Sequence, residues 1–152
     1  MNSLTLYKTV AMSLAILSVT SSMHARDEKI IPGRVYDFSE IVAIMQASTP
    51  QAAFDALLAQ HDYVIVDFYA SWCQPCKKMA RIFDEVSKDF EGTDVIFVKI
   101  NIDTFASLSN RFNIKSIPTI VSFKKGKRLS TMTGCKTNAS VTTFIENGRK
   151  KK

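Results

Sequence analysis

The chain has 152 residues, 46% of them apolar and 22% charged, with a formal net charge of +6. That composition fits one globular domain with short extensions. Three cysteines are too few for a disulfide-built scaffold, and no basic stripe with interleaved aromatics marks a nucleic-acid surface.

Residues 1–25 hold no acid and a single lysine, Lys8, followed by an apolar segment at 10–19. This is the length of a signal-peptide hydrophobic region and too short to span a bilayer, with a polar, small-residue cleavage region at 20–25. Residues 1–25 therefore read as a signal peptide and place the protein in the periplasm or outside the cell. The competing reading is a mitochondrial presequence leading to the matrix, weakened by the lack of arginine before Arg26. Residues 26–39 mix charges with Pro32 and Gly33 without a period and read as a linker or N-terminal extension ahead of a domain at 40–148. Residues 41–45 fit an edge strand, or a helix in which Ile41, Ile44 and Met45 share a face. Thr49 and Pro50 form an N-cap and first helical position, and Phe54, Leu57 and Leu58 give that helix an apolar face up to Gln60. His61, alone at the next junction, reads as a surface or capping residue.

Residues 63–69 are the apolar run of a central strand, interrupted by Asp67. A carboxylate there is costly unless paired, protonated or turned to water, and burial pushes its pKa up. Trp72, Cys73, Gln74, Pro75 and Cys76 follow, and then a helix in which Met79, Ile82, Phe83, Val86 and Phe90 share one face. Cys73 falls at or just before the first turn, where unpaired N–H groups and the positive end of the helix dipole favour a thiolate. Pro75 costs little there, because first-turn N–H groups lack intrahelical partners. Cys76 is one turn further on, so the two sulfurs can cycle between dithiol and disulfide, one attacking and the other resolving. Two cysteines are also half a zinc site, but Cys135 and His61 would be needed to close it.

After a turn at 91–94, residues 95–100 read as a strand, completing a right-handed β-α-β unit with parallel strands. A short helix at 104–112 carries Phe105, Leu108 and Phe112. Pro118 opens a strand at 119–123, where its missing N–H is tolerated. A turn at 124–127 leads into a last strand at 128–133, and then Gly134 and Cys135. Cys135 reads as a small space-filling hydrophobe or a third redox thiol. The final helix, 138–147, buries Val141, Phe144 and Ile145, with Gly148 as its stop and 149–152 as a basic tail.

Val-Asp-Phe at 66–68, Trp-Cys-Gln-Pro-Cys-Lys at 72–77, Ile-Pro-Thr at 117–119 and Gly134 together resemble the thioredoxin family over roughly 40–148. The resemblance implies an α/β thioredoxin fold, a central mixed sheet flanked by helices on both faces. It implies a catalytic set of Cys73 as nucleophile, Cys76 as resolving thiol, Asp67 beneath the pair as the base for Cys76, and Lys99 paired with Asp67. The alternative for Lys99 is a stem lying along the sheet with its ammonium in water. It further implies a cis Ile117–Pro118 bond and a substrate-docking surface of Trp72, Gln74, Pro75, Ile117, Pro118, Thr119 and Gly134. Gln74 replaces the family glycine, Cys135 stands where a small apolar residue is usual, and Arg81 replaces a helix-kinking proline, which implies a straighter helix. The implied function is a thiol-disulfide oxidoreductase that reduces protein disulfides. Oxidation or isomerisation of exported proteins, or a redox-silent binding module, are the competing functions. It would need a membrane or soluble thiol-disulfide reductase as electron donor, no cofactor and no metal, and would act as a monomer without nucleic-acid partners.

Overall fold

The computed structural model describes residues 29–151, so the signal peptide expected at 1–25 lies outside the described residues. In chain order the elements are β1 (Val35–Asp37), α1 (Phe38–Ile44), α2 (Pro50–Gln60), β2 (Tyr63–Tyr69), α3 (Gln74–Lys88), β3 (Val95–Asn101), α4 (Ala106–Arg111), β4 (Thr119–Lys124), β5 (Lys127–Thr133) and α5 (Asn138–Lys150). The strands form one sheet ordered β1-β3-β2-β4-β5, with β3 parallel to β1 and β2, and β4 antiparallel to β2 and β5. This is the mixed sheet that the family resemblance implies.

Side chains alternate across a strand, and here both faces are covered. Val64, Val66 and Phe68 of β2, with Ile96, Val98 and Ile100 of β3, pack against α1, α2 and α4. Tyr63 and Ile65, with Val95 and Phe97, pack against α3 and α5. The first face is filled by phenylalanines: Phe54 meets Phe123 at 5.3 Å and Phe112 at 5.1 Å between ring centres. Burial on both faces explains why β2 reads as a continuous apolar run rather than an alternating one. By the same alternation Asp67 and Tyr69 of β2, Lys99 of β3 and Asp37 of β1 all belong to the α3 face.

Two expectations change, and one open choice is decided. Part of the segment expected to be a linker, 26–39, is built into the domain: β1 pairs with β3, and Ile30 and Tyr36 are buried. A three-residue strand is too short to show a period. Its end was marked all the same by Asp37 and Glu40, which form a capping box at the start of α1. Of the two alternatives for residues 41–45 the helix holds, up to Ile44, and the edge strand does not, because Phe38 and Ile41 bury one helical face. Finally, Gly148 does not stop α5, which continues to Lys150, so the basic tail is shorter than expected.

Gly148 is present for space. A Cβ there would lie 1.9 Å from the Tyr63 hydroxyl oxygen, which is buried and donates to the Ile145 carbonyl at 2.9 Å. Gly148→Ala is expected to lower unfolding stability by about 1–3 kcal/mol through overpacking. The loss should be smaller in a Tyr63→Phe background, which removes the obstructing oxygen. Urea unfolding of the four members of this cycle checks both statements.

Candidate active site

The C-terminal end of β2 turns directly into α3, and the two cysteines sit on that junction. Cys73 is the N-cap of α3, and its sulfur accepts from the Cys76 backbone N–H at 3.2 Å. Gln74 and Pro75 occupy the first turn and are exposed. The sulfurs of Cys73 and Cys76 are joined in a disulfide. Both residues are buried, with Ala70 beside them and Tyr69, Ile102 and Ile117 packed around. A sulfur held at a helix N-terminus, already accepting an N–H, is stabilised as a thiolate once the bond is reduced. α3 runs through Arg81 as one continuous helix.

Around this pair the chain builds a partly apolar surface. Trp72 is 67% exposed, and its ring is fixed by an indole N–H donating to Asp103 Oδ2 at 2.9 Å. The Asp103 backbone N–H in turn donates to the Asn101 side chain at 2.9 Å. Asp103 was not among the expected site residues. The parallel pairing of Tyr69 with Asn101 brings the chain after β3 beside the chain after β2, and nothing in the local sequence around either residue marks that proximity.

The Ile117–Pro118 bond is cis. Pro118 is buried, and its carbonyl accepts from the Gly134 N–H at 2.8 Å, which ties the loop before β4 to the end of β5. Gly134 has φ +83°, and a Cβ there would meet nothing within 4 Å, so the backbone conformation rather than crowding calls for glycine. Thr119 departs from its expected place on the docking surface. It is 4% exposed, and its hydroxyl donates to the Ser116 carbonyl at 2.8 Å and lies 3.3 Å from that of Thr133. Its side chain braces the loop from inside. Cys135 is a free, half-buried thiol packed at the margin of the α3-face core, which is the position of a small hydrophobe.

Asp67 is completely buried, and neither carboxylate oxygen has a hydrogen-bond partner. Burial pushes its pKa up, the Lys99 charge works against that rise and Asp84 adds to it, leaving a value of about 7. The expected pairing with Lys99 takes a different form. The two residues are register neighbours, but no ion pair joins them, and the Lys99 Nζ lies over the Tyr69 ring, 5.6 Å from its centre. Lys99 is half-buried, lines a recess and gains the ring face. Reaching inward to the already buried carboxylate would strip the ammonium of its water as well. That recess, of about 200 Å³, is lined by Tyr69, Ala70, Ser71, Cys76, Lys77, Ala80 and Lys99.

Among the described residues no group of three or more His, Cys, Asp or Glu side chains could hold a metal ion. The chemistry available is that of two sulfurs at a helix start, with a carboxyl that titrates near neutrality on the same sheet face.

A thioredoxin family model matches residues 45–147. Thioredoxin 1 of Plasmodium falciparum is 38% identical over 91 residues, covering 60% of this chain and 86% of the relative. Thioredoxin of Rickettsia bellii is 35% identical over 104 residues, covering 68% and 98%. Among solved structures, a thioredoxin from Plasmodium falciparum superposes with a TM-score of 0.59 at 36% identity, covering 64% of this chain and 92% of that one. A mutant thioredoxin from Halobacterium salinarum reaches a TM-score of 0.64 over 82% and 98% of the two chains; at 21% identity it speaks for the fold alone. With the two-cysteine helix start, the cis-proline loop and these relatives in agreement, the chain belongs to the thioredoxin family and is a thiol-disulfide oxidoreductase.

Proposed function

We propose that the protein reduces disulfides of protein substrates in an extracytoplasmic compartment. In the reduced protein the Cys73 thiolate attacks one sulfur of a substrate disulfide and forms a mixed disulfide, releasing the other substrate sulfur as a thiolate that takes a proton from water. Asp67 then accepts the Cys76 proton. The Cys76 sulfur attacks Cys73, the bond from Cys73 to substrate breaks and releases the second substrate sulfur as a thiolate, and the proton held by Asp67 passes to it through water, so that the substrate leaves as a dithiol while Cys73 and Cys76 become the disulfide. Two electrons pass from the protein to the substrate. A membrane or soluble thiol-disulfide reductase must return them, since an oxidising compartment supplies no thiol pool.

The observation that carries this reading is the placement of Cys73 as the α3 N-cap, accepting from the Cys76 N–H, beside the loop fixed by Pro118 and Gly134. Exposed Trp72, Gln74 and Pro75, together with Ile117 and Gly134, supply a surface on which an extended substrate segment can lie. Lys99 tunes Asp67 by its charge, which works against the rise that burial imposes on the carboxyl. Export rests on residues 1–25, and the protein works as a monomer.

The reduction potential of the Cys73–Cys76 pair, set against glutathione and dithiothreitol, tests the direction of exchange. A value near about −270 mV supports reduction, and one near about −120 mV replaces it with oxidation of exported proteins. N-terminal sequencing of the protein recovered from fractionated source cells tests export, which predicts loss of a leader ending near residue 25.

Cys73→Ser is expected to abolish turnover. Cys76→Ser should stop it at the mixed disulfide, which accumulates as a species on non-reducing gels and disappears with dithiothreitol. Asp67 ties stability to pH. Its folded-state pKa of about 7 lies above the ordinary 3.8, so the stability linked to its proton is full below pH 3.8 and is lost as pH rises through about 7. Asp67→Asn should therefore be more stable than the parent at pH 8 by on the order of 2–4 kcal/mol, with the difference vanishing toward pH 4. Chemical unfolding across that range is the check.

A further inference from the structure

On the α3 face of the sheet, Asp37 of β1, Lys99 of β3 and Asp67 of β2 stand in one register row, with neighbouring strands about 4.8 Å apart. A lysine between two carboxylates can lean toward either. Beyond Asp67 the row continues with Ile120 of β4, which is apolar and buried. The sheet therefore offers Asp67 one cation, Lys99. From α3, Asp84 contributes a negative charge, and Cys76 and the cation Lys77 line the recess together with Lys99. The α5 residues buried on this face, Val141 and Ile145, are uncharged.

Tyr69 supplies the ring over which the lysine rests. It lies two residues beyond Asp67, and its hydroxyl donates to Asp37 Oδ2 at 3.0 Å. Since β3 separates β2 from β1 in the sheet, this bond carries the tyrosine across β3 as a strap, and the Lys99 Nζ rests over its ring. Asp37 is a fixed anchor. Its Oδ1 accepts from the N–H and the hydroxyl of Ser39 at 3.0 and 2.7 Å, as the cap of α1. Burial alone would raise the Asp37 pKa, but these bonds, the Tyr69 hydroxyl and the Lys99 charge together hold it below the ordinary value. A lasting negative charge thus sits at the outer end of the strap, where it competes with Asp67 for the Lys99 charge, while both Asp67 oxygens go without a partner.

We infer that Tyr69 and Asp37 are positioning residues for disulfide exchange, holding the Lys99 ammonium off Asp67 and so leaving that carboxyl free to exchange a proton with Cys76. The inference rests on the proposed role of Asp67 as the base for Cys76. If Lys99 closed onto Asp67, the carboxylate would be stabilised as an anion and become a weaker base. The strap therefore sets the pH at which the resolving thiol is served, without touching either sulfur's substrate.

The test is the titration of the Asp67 carboxyl, followed by carbon-13 NMR in the full oxidised chain. Asp37→Asn, which removes the outer charge, and Tyr69→Leu, which removes the ring, are each expected to move the Asp67 midpoint down by about one pH unit as Lys99 turns inward. Tyr69→Phe keeps the ring face and should move it less. Lys99→Met should move the midpoint up, and in that background the effect of Asp37→Asn should fall by at least half, because the lysine that carries it is gone. An unmoved midpoint in Asp37→Asn, or a downward move that is undiminished without Lys99, overturns the positioning role; should Tyr69→Leu fail to fold, Asp37→Asn and Tyr69→Phe still decide it. The pH dependence of the step in which Cys76 resolves a preformed mixed disulfide separates this inference from the reading beneath it. If Asp67→Asn leaves that profile in place, the base assignment fails whatever the NMR titration reports about Lys99.

Discussion

Strand β2 is the middle strand of the sheet, paired on both edges and covered on both faces, and it carries a carboxylate. Ile120 and Ile65 seal it from water, Lys99 supplies charge from the adjacent strand, and α3, beginning with the cysteines, packs over the same face. A fully buried acid without hydrogen bonds costs stability at neutral pH, while the apolar core on the opposite face contributes stability by burial. Five phenylalanines, Phe38, Phe54, Phe105, Phe112 and Phe123, meet there at ring separations between 5.0 and 5.8 Å.

The site is assembled from chain ends rather than from element interiors. The cysteines lie where β2 becomes α3, Asp103 lies just past β3, the cis proline just before β4 and Gly134 just past β5. These points are tied by specific bonds: Cys76 N–H to the Cys73 sulfur, the Trp72 indole N–H to the Asp103 carboxylate, Gly134 N–H to the Pro118 carbonyl. Rigid strands thus present a surface made of loops. This combination positions reacting sulfurs while leaving room for an incoming chain.

Lys99 shows why register neighbours need not be ion partners. Desolvating an ammonium to reach a buried carboxylate costs more than resting it on an aromatic face beside water, and the bond from Tyr69 to Asp37 keeps that face in place. A short strand, β1, at the sheet edge thereby contributes to the electrostatics of a carboxyl two strands away.

The amino-acid sequence by itself determined the two central strands, the helix that starts at the cysteines, the Thr49 cap and the identity of the reactive pair, because each is written in local spacing or in a motif only a few residues long. A seven-residue apolar run and an apolar stripe over four turns are self-evident to counting. What only the tertiary structure decided depends on which strands become neighbours. That Asp37 belongs to the sheet, that Asp103 holds Trp72, that Thr119 faces inward, that Gly148 makes room for Tyr63 and that Lys99 leans onto Tyr69 are all contacts between residues far apart in the chain or on short elements without a period. Pairing and packing create those contacts, and no local pattern encodes them.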